Sequence, residues 1–284
     1  MKKLKNQFLL IVGLLVSGIV TVHAQDFQGI ATYQTAIKGR SFSFKGEGIT
    51  PDMEKQIASA VKKQGQKEYT LNFNLSEANW KEVESLGNGP AVAGSGMNVM
   101  TISSGGNGLK YRNTAENLYL EEASLFGKPF LVKDELTPLE WVLTDETKQI
   151  GEYMVQKAVY TRTVERSIFG FSTDSDDEAK EPETRMDTIK IEAWYTPQIP
   201  VSHGPDSYWG LPGLILELND GSRTMLCTKV VLNPEGGVEI KKPKKGKKVN
   251  KKEYAEIQKE KMKEMSEKYS GGGGGVSFTI KGGN

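Results

Sequence analysis

The stretch from residue 210 to residue 232 constrains the fold of this chain most, because its pattern is typical of a β-hairpin. Pro212 and Gly213 suit the second and third positions of a type II turn, since proline presets its backbone angle and glycine accepts a positive one. A strand from Leu214 to Leu218 follows. Asp220-Gly221 then predicts a two-residue type I′ turn into a returning strand, Arg223 to Leu232.

The two-residue turn sets the register of this predicted hairpin. Leu214 would face Cys227, and that cysteine would share its face with the leucines at 214, 216 and 218. We therefore expect Cys227 to be a small buried hydrophobe and not a reactive thiol. It is the one cysteine of the chain, so no intramolecular disulfide can form and the fold must be held by its own core.

Hydrophobic alternation predicts more strands along the chain. They are expected at Phe27–Ile37, Tyr69–Leu75, Met97–Ser103, Gly108–Asn113, Asn117–Glu121 and Phe130–Lys133, and a long hairpin should pair Gly151–Ser167 with Arg185–Tyr195. A helix should begin at Thr50 and carry an apolar stripe as far as Val61. The predicted class is mainly β (α+β). We expect a single domain, residues 25–240, in which a curved or barrel-like antiparallel sheet packs against this N-terminal helix.

The first 24 residues have the three zones of a secretory signal peptide. Lysines at positions 2, 3 and 5 precede an apolar stretch from Phe8 to Val20, and the segment ends on Ala24. The stretch is short for a bilayer span, which needs about 20 residues, so cleavage after Ala24 is favoured over an uncleaved anchor. We expect the mature chain in the periplasm or secreted.

The last part of the chain, residues 241–284, differs in composition from the rest. It holds the lysine-rich run Lys241–Lys252, a charged helix at Val249–Tyr269, a glycine spacer at Gly271–Gly275 and a terminal strand at Val276–Lys281. We expect the lysine run to be a solvated linker. The alternative is that it makes peripheral contact with anionic lipid. The mature chain has 34 basic and 36 acidic residues, a balance that argues against nucleic acid as a partner.

Aromatic residues cluster close to the predicted turns before the hairpin. We expect the side chains most able to line a binding groove to be those of Trp194, Tyr195, His203, Tyr208 and Trp209. The alternative is that these side chains pack into the core.

The run Gly210-Leu211-Pro212-Gly213-Leu214-Ile215 resembles the signature of the GLPGLI family of exported proteins from the Bacteroidota. Agreement extends to Ala193-Trp194-Tyr195, Ile199-Pro200 and Gly204-Pro205. The resemblance implies an exported, uncharacterised envelope protein with no established reaction, cofactor or catalytic residue. At the family level it hints at an outer-membrane TonB-dependent receptor as partner. Many relatives are expected to carry a cysteine near Met154, and this chain has none there to pair with Cys227.

Catalytic and metal chemistry have little support in the sequence. There is no HExxH motif, paired-cysteine site or phosphate-binding glycine loop, so we expect no catalytic residue, metal or cofactor. The acidic run Asp174–Glu178 lacks the ligand spacing of a calcium loop and is expected to be a solvated hairpin tip. Once His23 leaves with the leader, His203 is the one histidine on which a hydrolase could depend.

Three functions remain open, and the sequence sets no oligomeric state. The favoured function is a non-catalytic binding or accessory protein of the cell envelope, acting with the TonB-dependent receptor or another envelope protein. The second is a periplasmic carrier of an apolar ligand, and the third is a hydrolase that uses His203.

Overall fold

The computed structural model describes residues 27–37, 41–45, 52, 66–84, 108–168, 183–270 and 277–281. Most of them lie in strands. In chain order the elements are β1 (Gln28–Ile37), β2 (Ser41–Lys45), β3 (Glu68–Asn74), β4 (Glu77–Glu82), β5 (Lys110–Asn113), β6 (Leu118–Leu125), β7 (Lys128–Glu135), β8 (Val142–Ile150), β9 (Tyr153–Ile168), β10 (Glu183–Thr196), β11 (Leu214–Asn219), β12 (Arg223–Leu232), β13 (Lys247–Val249), α1 (Lys251–Ser270) and β14 (Ser277–Lys281).

Twelve of these strands form one sheet, in the order β13-β7-β6-β5-β4-β3-β1-β12-β11-β10-β9-β8. Only the pair β13 and β7 is parallel; the other neighbours within this sheet run antiparallel. Strands β2 and β14 form a separate antiparallel pair. The prediction of a mainly antiparallel sheet is confirmed. Over the described residues the sheet is open and does not close on itself, since β13 and β8 are its two edges.

The main core lies on one face of the central strands. Alternate residues of β1 and β3 are fully buried there, namely Ala31, Tyr33, Leu71 and Phe73. The loop between β10 and β11 covers them and adds Ile199 and Leu211, which are also fully buried. Each large apolar side chain buried in this way stabilises the fold by about 1.5–3 kcal/mol.

A smaller core forms where α1 packs near the β13 edge. Tyr254 and Ile257 of the helix contact a cluster made by Ala123, Phe130, Val132 and Val249. The helix begins with a reciprocal cap, in which Glu253 N donates to Asn250 Oδ1 at 2.8 Å and Asn250 N donates to Glu253 Oε2 at 2.9 Å. No helix within the described ranges combines the length and apolar character needed to span a membrane.

Most predicted strands are confirmed. The long hairpin has its expected partners, with Ala158 opposite Ala193, and the C-terminal helix is offset from its predicted bounds by two residues at most. Strands β2, β4, β8 and β13 were missed, the last within the lysine run that was predicted to be a linker. Several predicted elements lie outside the described residues. They are the signal peptide, the strand at Met97–Ser103, the acidic run, the glycine spacer and the helix from Thr50, of which only Asp52 is described, as helical.

The predicted turn at Asp220-Gly221 is wrong in its type and register. A type I′ turn needs positive φ at both positions, whereas φ is positive at Gly221 (83°) and not at Asp220. The Asp220 carboxylate accepts from the backbone N–H groups of Ser222 (3.0 Å) and Arg223 (2.9 Å), which stabilises a wider turn. The pairing therefore shifts by two residues. Because the shift is even, every side chain keeps its predicted face.

Candidate functional site

The loop of residues 197–213, here called the motif loop, joins β10 to β11 and lies flat on the sheet. Backbone hydrogen bonds hold it there: Leu214 N donates to Ile199 O at 3.0 Å, and Ile215 N donates to His203 O at 3.1 Å. Its close fit also requires Gly204, where a Cβ would stand 2.6 Å from the side chain of Ile215. The motif loop is therefore part of the core and does not project from it.

The two glycines of the motif have different roles. Gly210 has a positive φ of 95°, and a Cβ added there would meet nothing nearer than 4.0 Å. Gly213 has no such φ, but its Cβ would stand 2.2 Å from the carbonyl oxygen of Thr196. The predicted type II turn, which needs a positive φ at Gly213, is wrong. Between the glycines, Leu211 is fully buried and Pro212 is exposed.

His203 is fully buried beneath the motif loop. Its Nε2–H donates to the backbone oxygen of Asn74 at 3.1 Å, and its ring centroid is 6.4 Å from that of Phe73. Burial, and secondarily the positive charge of Arg112, lower the pKa of His203 to about 3. The imidazole is therefore neutral at physiological pH. Its Nδ1 is buried without a hydrogen-bond partner, away from any surface a substrate could reach.

Arg112 supports the motif loop from the sheet. Its guanidinium donates to the backbone oxygens of Gly204 and, at 3.0 Å, of Tyr208. Burial lowers the pKa of Arg112 to about 10, which still leaves the group charged at neutral pH. The side chain thus satisfies two buried carbonyl groups and keeps the motif loop against β5.

Asp206 is the centre of a buried ion network. Its carboxylate accepts from Lys110 and Arg223, and Arg223 also pairs with Asp220 at 3.0 Å. Burial alone would raise the pKa of the Asp206 carboxyl. The positive charges of Lys110 and Arg223 outweigh burial and hold this pKa far below its usual value. The network ties the motif loop to β5 and β12 at the same time.

The predicted aromatic groove is divided between two faces of the sheet. Trp194 and Tyr195 are neighbours in β10, so their side chains point in opposite directions. The Lys148 ammonium stands 4.2 Å from the centre of the Trp194 ring on one face. On the other face Tyr195 is 1 % exposed, and its hydroxyl donates to Gln156 Oε1 at 2.8 Å.

The remaining aromatic candidates lie together at the end of the motif loop. Tyr208 is buried, whereas Trp209 is half-buried and its carbonyl oxygen accepts from Trp141 Nε1 at 2.8 Å. Trp141 is itself half-buried, 5.7 Å from the ring of Tyr160. We call Trp141 and Tyr160 the aromatic patch; Trp209 contributes only its backbone carbonyl to it and lines a separate small pocket beside Asp206.

The aromatic patch lies next to the open edge of the sheet. Strand β8 pairs with β9 on one side only, and no described strand pairs with its outer side. Val142 and Leu143 at its start are 66 % and 55 % exposed. From Leu143 to Thr147 the pairing with β9 is interrupted by a bulge.

Several of these residues gave no signal in the sequence. Lys110, Arg112, Asp206 and Arg223 meet only because β5, the motif loop and β12 come together, at sequence separations from 17 to 96 residues. The one available signal was Asp206, a charged residue inside an apolar, turn-rich run. Within the described ranges, no group of three or more His, Cys, Asp or Glu side chains could hold a metal ion.

The aromatic patch, the β8 edge and the motif loop all lie within residues 141–217. Residues 141–217 match a family model. Its description is "Protein of unknown function (Porph_ging)". This match supports an uncharacterised family for the segment from β8 into β11, while the GLPGLI resemblance remains a prediction.

Comparison with other proteins adds little to this match. No curated protein matches the chain. Two solved structures of PNGF-II, in space groups C2 and P21, are similar to it at 18 % and 17 % sequence identity, with a TM-score of 0.44 in each case. The match covers 81 % of this chain but 32 % of the PNGF-II chain, so this chain spans about a third of the length of that protein.

Proposed function

We propose that this chain is an exported, non-catalytic binding protein of the cell envelope, and that it binds an extended segment of a protein partner along β8. The observation that carries the proposal is that no strand in the described part of the chain pairs with the outer side of β8, next to exposed Val142 and Leu143. An open edge offers unpaired backbone N–H and C=O groups, and many peptide-binding proteins use such an edge to accept an added strand.

The other edge of the sheet is a useful comparison. Strand β13 is three residues long and carries exposed Lys247 and Lys248, two features that discourage strand addition. Strand β8 is nine residues long and begins with two exposed apolar side chains. Its bulge limits regular pairing in the middle of the strand, so we place the partner's first contacts at Val142 and Leu143.

The aromatic patch gives this edge side-chain specificity. Leu143 and Trp141 are two residues apart, so in extended chain they point to the same side, where Tyr160 of β9 also lies. Half-buried tryptophan and tyrosine side chains are the types that contribute most to protein interfaces. A partner strand on β8 would place its alternate apolar residues against this patch.

The environment of His203 supports a non-catalytic protein. A general base must reach the proton it removes, and His203 is fully buried with its Nε2 engaged by Asn74. The carrier alternative needs an apolar cavity, but the apolar face of the sheet is filled by Ile199, Leu211 and their neighbours. Export, the periplasmic or secreted location, and an outer-membrane receptor or another envelope protein as partner are parts of the same proposal.

Site-specific photo-crosslinking tests the proposal. A photoreactive amino acid at position 143 should crosslink to an envelope protein in the native host, and mass spectrometry should find the crosslink in an extended segment of that protein. The matched control is position 226, because Leu226 is 40 % exposed but lies on the inner strand β12, where it pairs with both β1 and β11.

A charge substitution provides the second arm. Leu143→Lys should lower the yield of the crosslinked or co-purified partner at least tenfold, because a charge on an edge opposes strand addition. Leu226→Lys should leave the yield unchanged. Equal capture by both variants, or crosslinking at 226 and not at 143, would mean that β8 is not the binding edge.

A further inference from the structure

The charges of this chain are separated along its length. Residues 241–284 hold 13 lysines and 5 glutamates, a formal charge of +8, whereas residues 25–240 hold 21 basic and 31 acidic residues, a formal charge of −10. Such an asymmetry gives the molecule one end that attracts anions and a body that repels them.

The positive segment is held in a fixed path across the sheet before it reaches the edge. Asn72 Nδ2 donates to the backbone oxygen of Glu239 at 3.3 Å, and Asn79 Nδ2 donates to that of Lys241 at 3.4 Å. Lys242 then pairs with Glu77 at 3.1 Å. The chain after β12 is therefore bound to the sheet and is not a free linker.

Strand β13 and the cap of α1 fix the path of the backbone that follows Lys242. Gly246 allows the approach to β7, since a Cβ there would stand 2.5 Å from the backbone of Phe130. Val249 packs into the smaller core, and Asn250 caps α1 directly after it. The backbone that carries the lysines from 244 to 252 is thus fixed at one end of the sheet.

The lysines on this backbone point into solvent. We call Lys244, Lys245, Lys247, Lys248 and Lys252 the lysine band; all five are exposed, and none forms an ion pair with a residue in the described part of the chain. Lys251 lies beside them, with its ammonium 4.4 Å from the centre of the Tyr119 ring. Charged side chains protect a sheet edge when they lie on the edge strand. Of the five, only Lys247 and Lys248 lie on β13, so edge protection does not account for the other three.

We infer that the lysine band is a membrane-contact site that binds the phosphate groups of anionic lipid headgroups. An anionic membrane surface at this end of the sheet attracts the ammonium groups of the lysine band, whereas residues 25–240 carry a net negative charge that such a surface repels. A fixed backbone also lowers the entropy lost on binding, because the lysines are already displayed together. The inference does not depend on β8, which is at the opposite end of the sheet.

Vesicle co-sedimentation tests this inference. The full chain is mixed with vesicles of 30 % phosphatidylglycerol in phosphatidylcholine, or of phosphatidylcholine alone, in low salt. Binding should require phosphatidylglycerol and should disappear in 1 M NaCl, where the Debye length is about 3 Å. The apolar N-terminal stretch is common to all samples, so the phosphatidylcholine vesicles measure its contribution.

A quadruple variant assigns the binding to these residues. Changing Lys244, Lys245, Lys247 and Lys248 to Gln should weaken binding at least tenfold, since each lysine near an anionic surface contributes about fivefold. The matched control changes four exposed basic residues on other strands to Gln, namely Lys81, Arg162, Lys190 and Lys229. This control has the same net charge and should bind within about twofold of the original chain.

Three results of the vesicle experiments would overturn the inference. They are equal binding to both kinds of vesicle, binding that persists in 1 M NaCl, and an equal loss in the two quadruple variants, which would indicate only a net-charge effect. Binding of a single-stranded oligonucleotide without binding of the anionic vesicles would also overturn it in favour of a soluble polyanion. If a variant fails to fold, the effect of 1 M NaCl on vesicle binding by the unaltered chain still tests the inference.

Discussion

The backbone of Gly213 packs directly against the carbonyl group of Thr196, so that the last residue of β10 meets the residue just before β11. A Cβ on Gly213 would come within 2.2 Å of that oxygen and 2.5 Å of its carbon. Both neighbours are backbone atoms and cannot move aside as a flexible side chain can. This contact closes the two ends of the motif loop onto each other.

Gly213→Ala should therefore destabilise the protein strongly. We expect the free energy of unfolding to fall by about 3 kcal/mol, because overpacking against backbone must shift β10 or β11. Gly210→Ala is the matched control, since its cost of about 1 kcal/mol comes from its positive φ alone. Urea denaturation of both variants measures the difference. Equal effects at the two positions would show that the Thr196 contact is not the reason for Gly213.

The sequence predicted the sheet because its strong signals are local. Alternation along β3 and the length of the β9–β10 hairpin depend on side chains only a few residues apart. Strand β4 was missed because Glu77, Asn79 and Lys81 make it polar; Asn79 is nevertheless buried, under the segment that follows β12. Lys241, the residue of that segment that accepts from Asn79, is 162 residues further along the chain, so the sequence around β4 does not predict the contact.

The candidate site was harder to predict for the same reason. Proximity in sequence suggested one groove for Trp194 and Tyr195, but strand geometry places them on opposite faces. Trp209 does lie on a surface, in contact with Trp141, which is 68 residues away and was not among the predicted binding residues. The turn at Asp220-Gly221 was assigned from its dipeptide alone, without the hydrogen bonds of the Asp220 carboxylate that widen it.

His203 should make the stability of the protein depend on pH. Its pKa is about 3 in the folded protein and about 6.5 when unfolded, so protons favour the unfolded state. The contribution of the neutral ring is complete above pH 6.5 and is lost as the pH falls from 6.5 towards 3. Between pH 7.5 and pH 5 the loss should be about 2 kcal/mol.

The comparison of the unaltered chain with His203→Gln isolates this effect. Glutamine does not titrate, so the difference in unfolding free energy between the two proteins should shrink by about 2 kcal/mol from pH 7.5 to pH 5. Denaturant titrations at the two pH values provide the measurement. A constant difference would mean that His203 is protonated or exposed in the native state.

Asp206→Asn should cost about 2–3 kcal/mol of stability at neutral pH, because it leaves the half-buried charges of Lys110 and Arg223 without their carboxylate. Asparagine suits the site sterically, since it tolerates the positive φ of 55° at this position. Glu146→Gln is the control: its pair with Lys157 is exposed and should contribute less than about 1 kcal/mol. Thermal or denaturant unfolding distinguishes the two, and a small effect at both would show that the network is solvated.

Cys227 is half-buried in β12, opposite Tyr33, where the sequence predicted full burial. Burial still raises the pKa of its thiol to about 12, and its Sγ–H donates weakly to the backbone oxygen of Lys229 at 3.5 Å. At pH 8 the reactive thiolate should therefore be on the order of one molecule in ten thousand, against roughly a quarter for an ordinary thiol.

Ellman's reagent should accordingly modify native Cys227 about a thousandfold more slowly than the same residue in 6 M guanidinium chloride. The best control moves the thiol by one residue, in the double variant Cys227→Ser with Thr228→Cys. Thr228 is the exposed extra residue of the bulge between β1 and β12, so a thiol there should react at nearly the unfolded rate. If Cys227 reacted as fast as the thiol at 228, its packing against the core could not be the cause of its raised pKa.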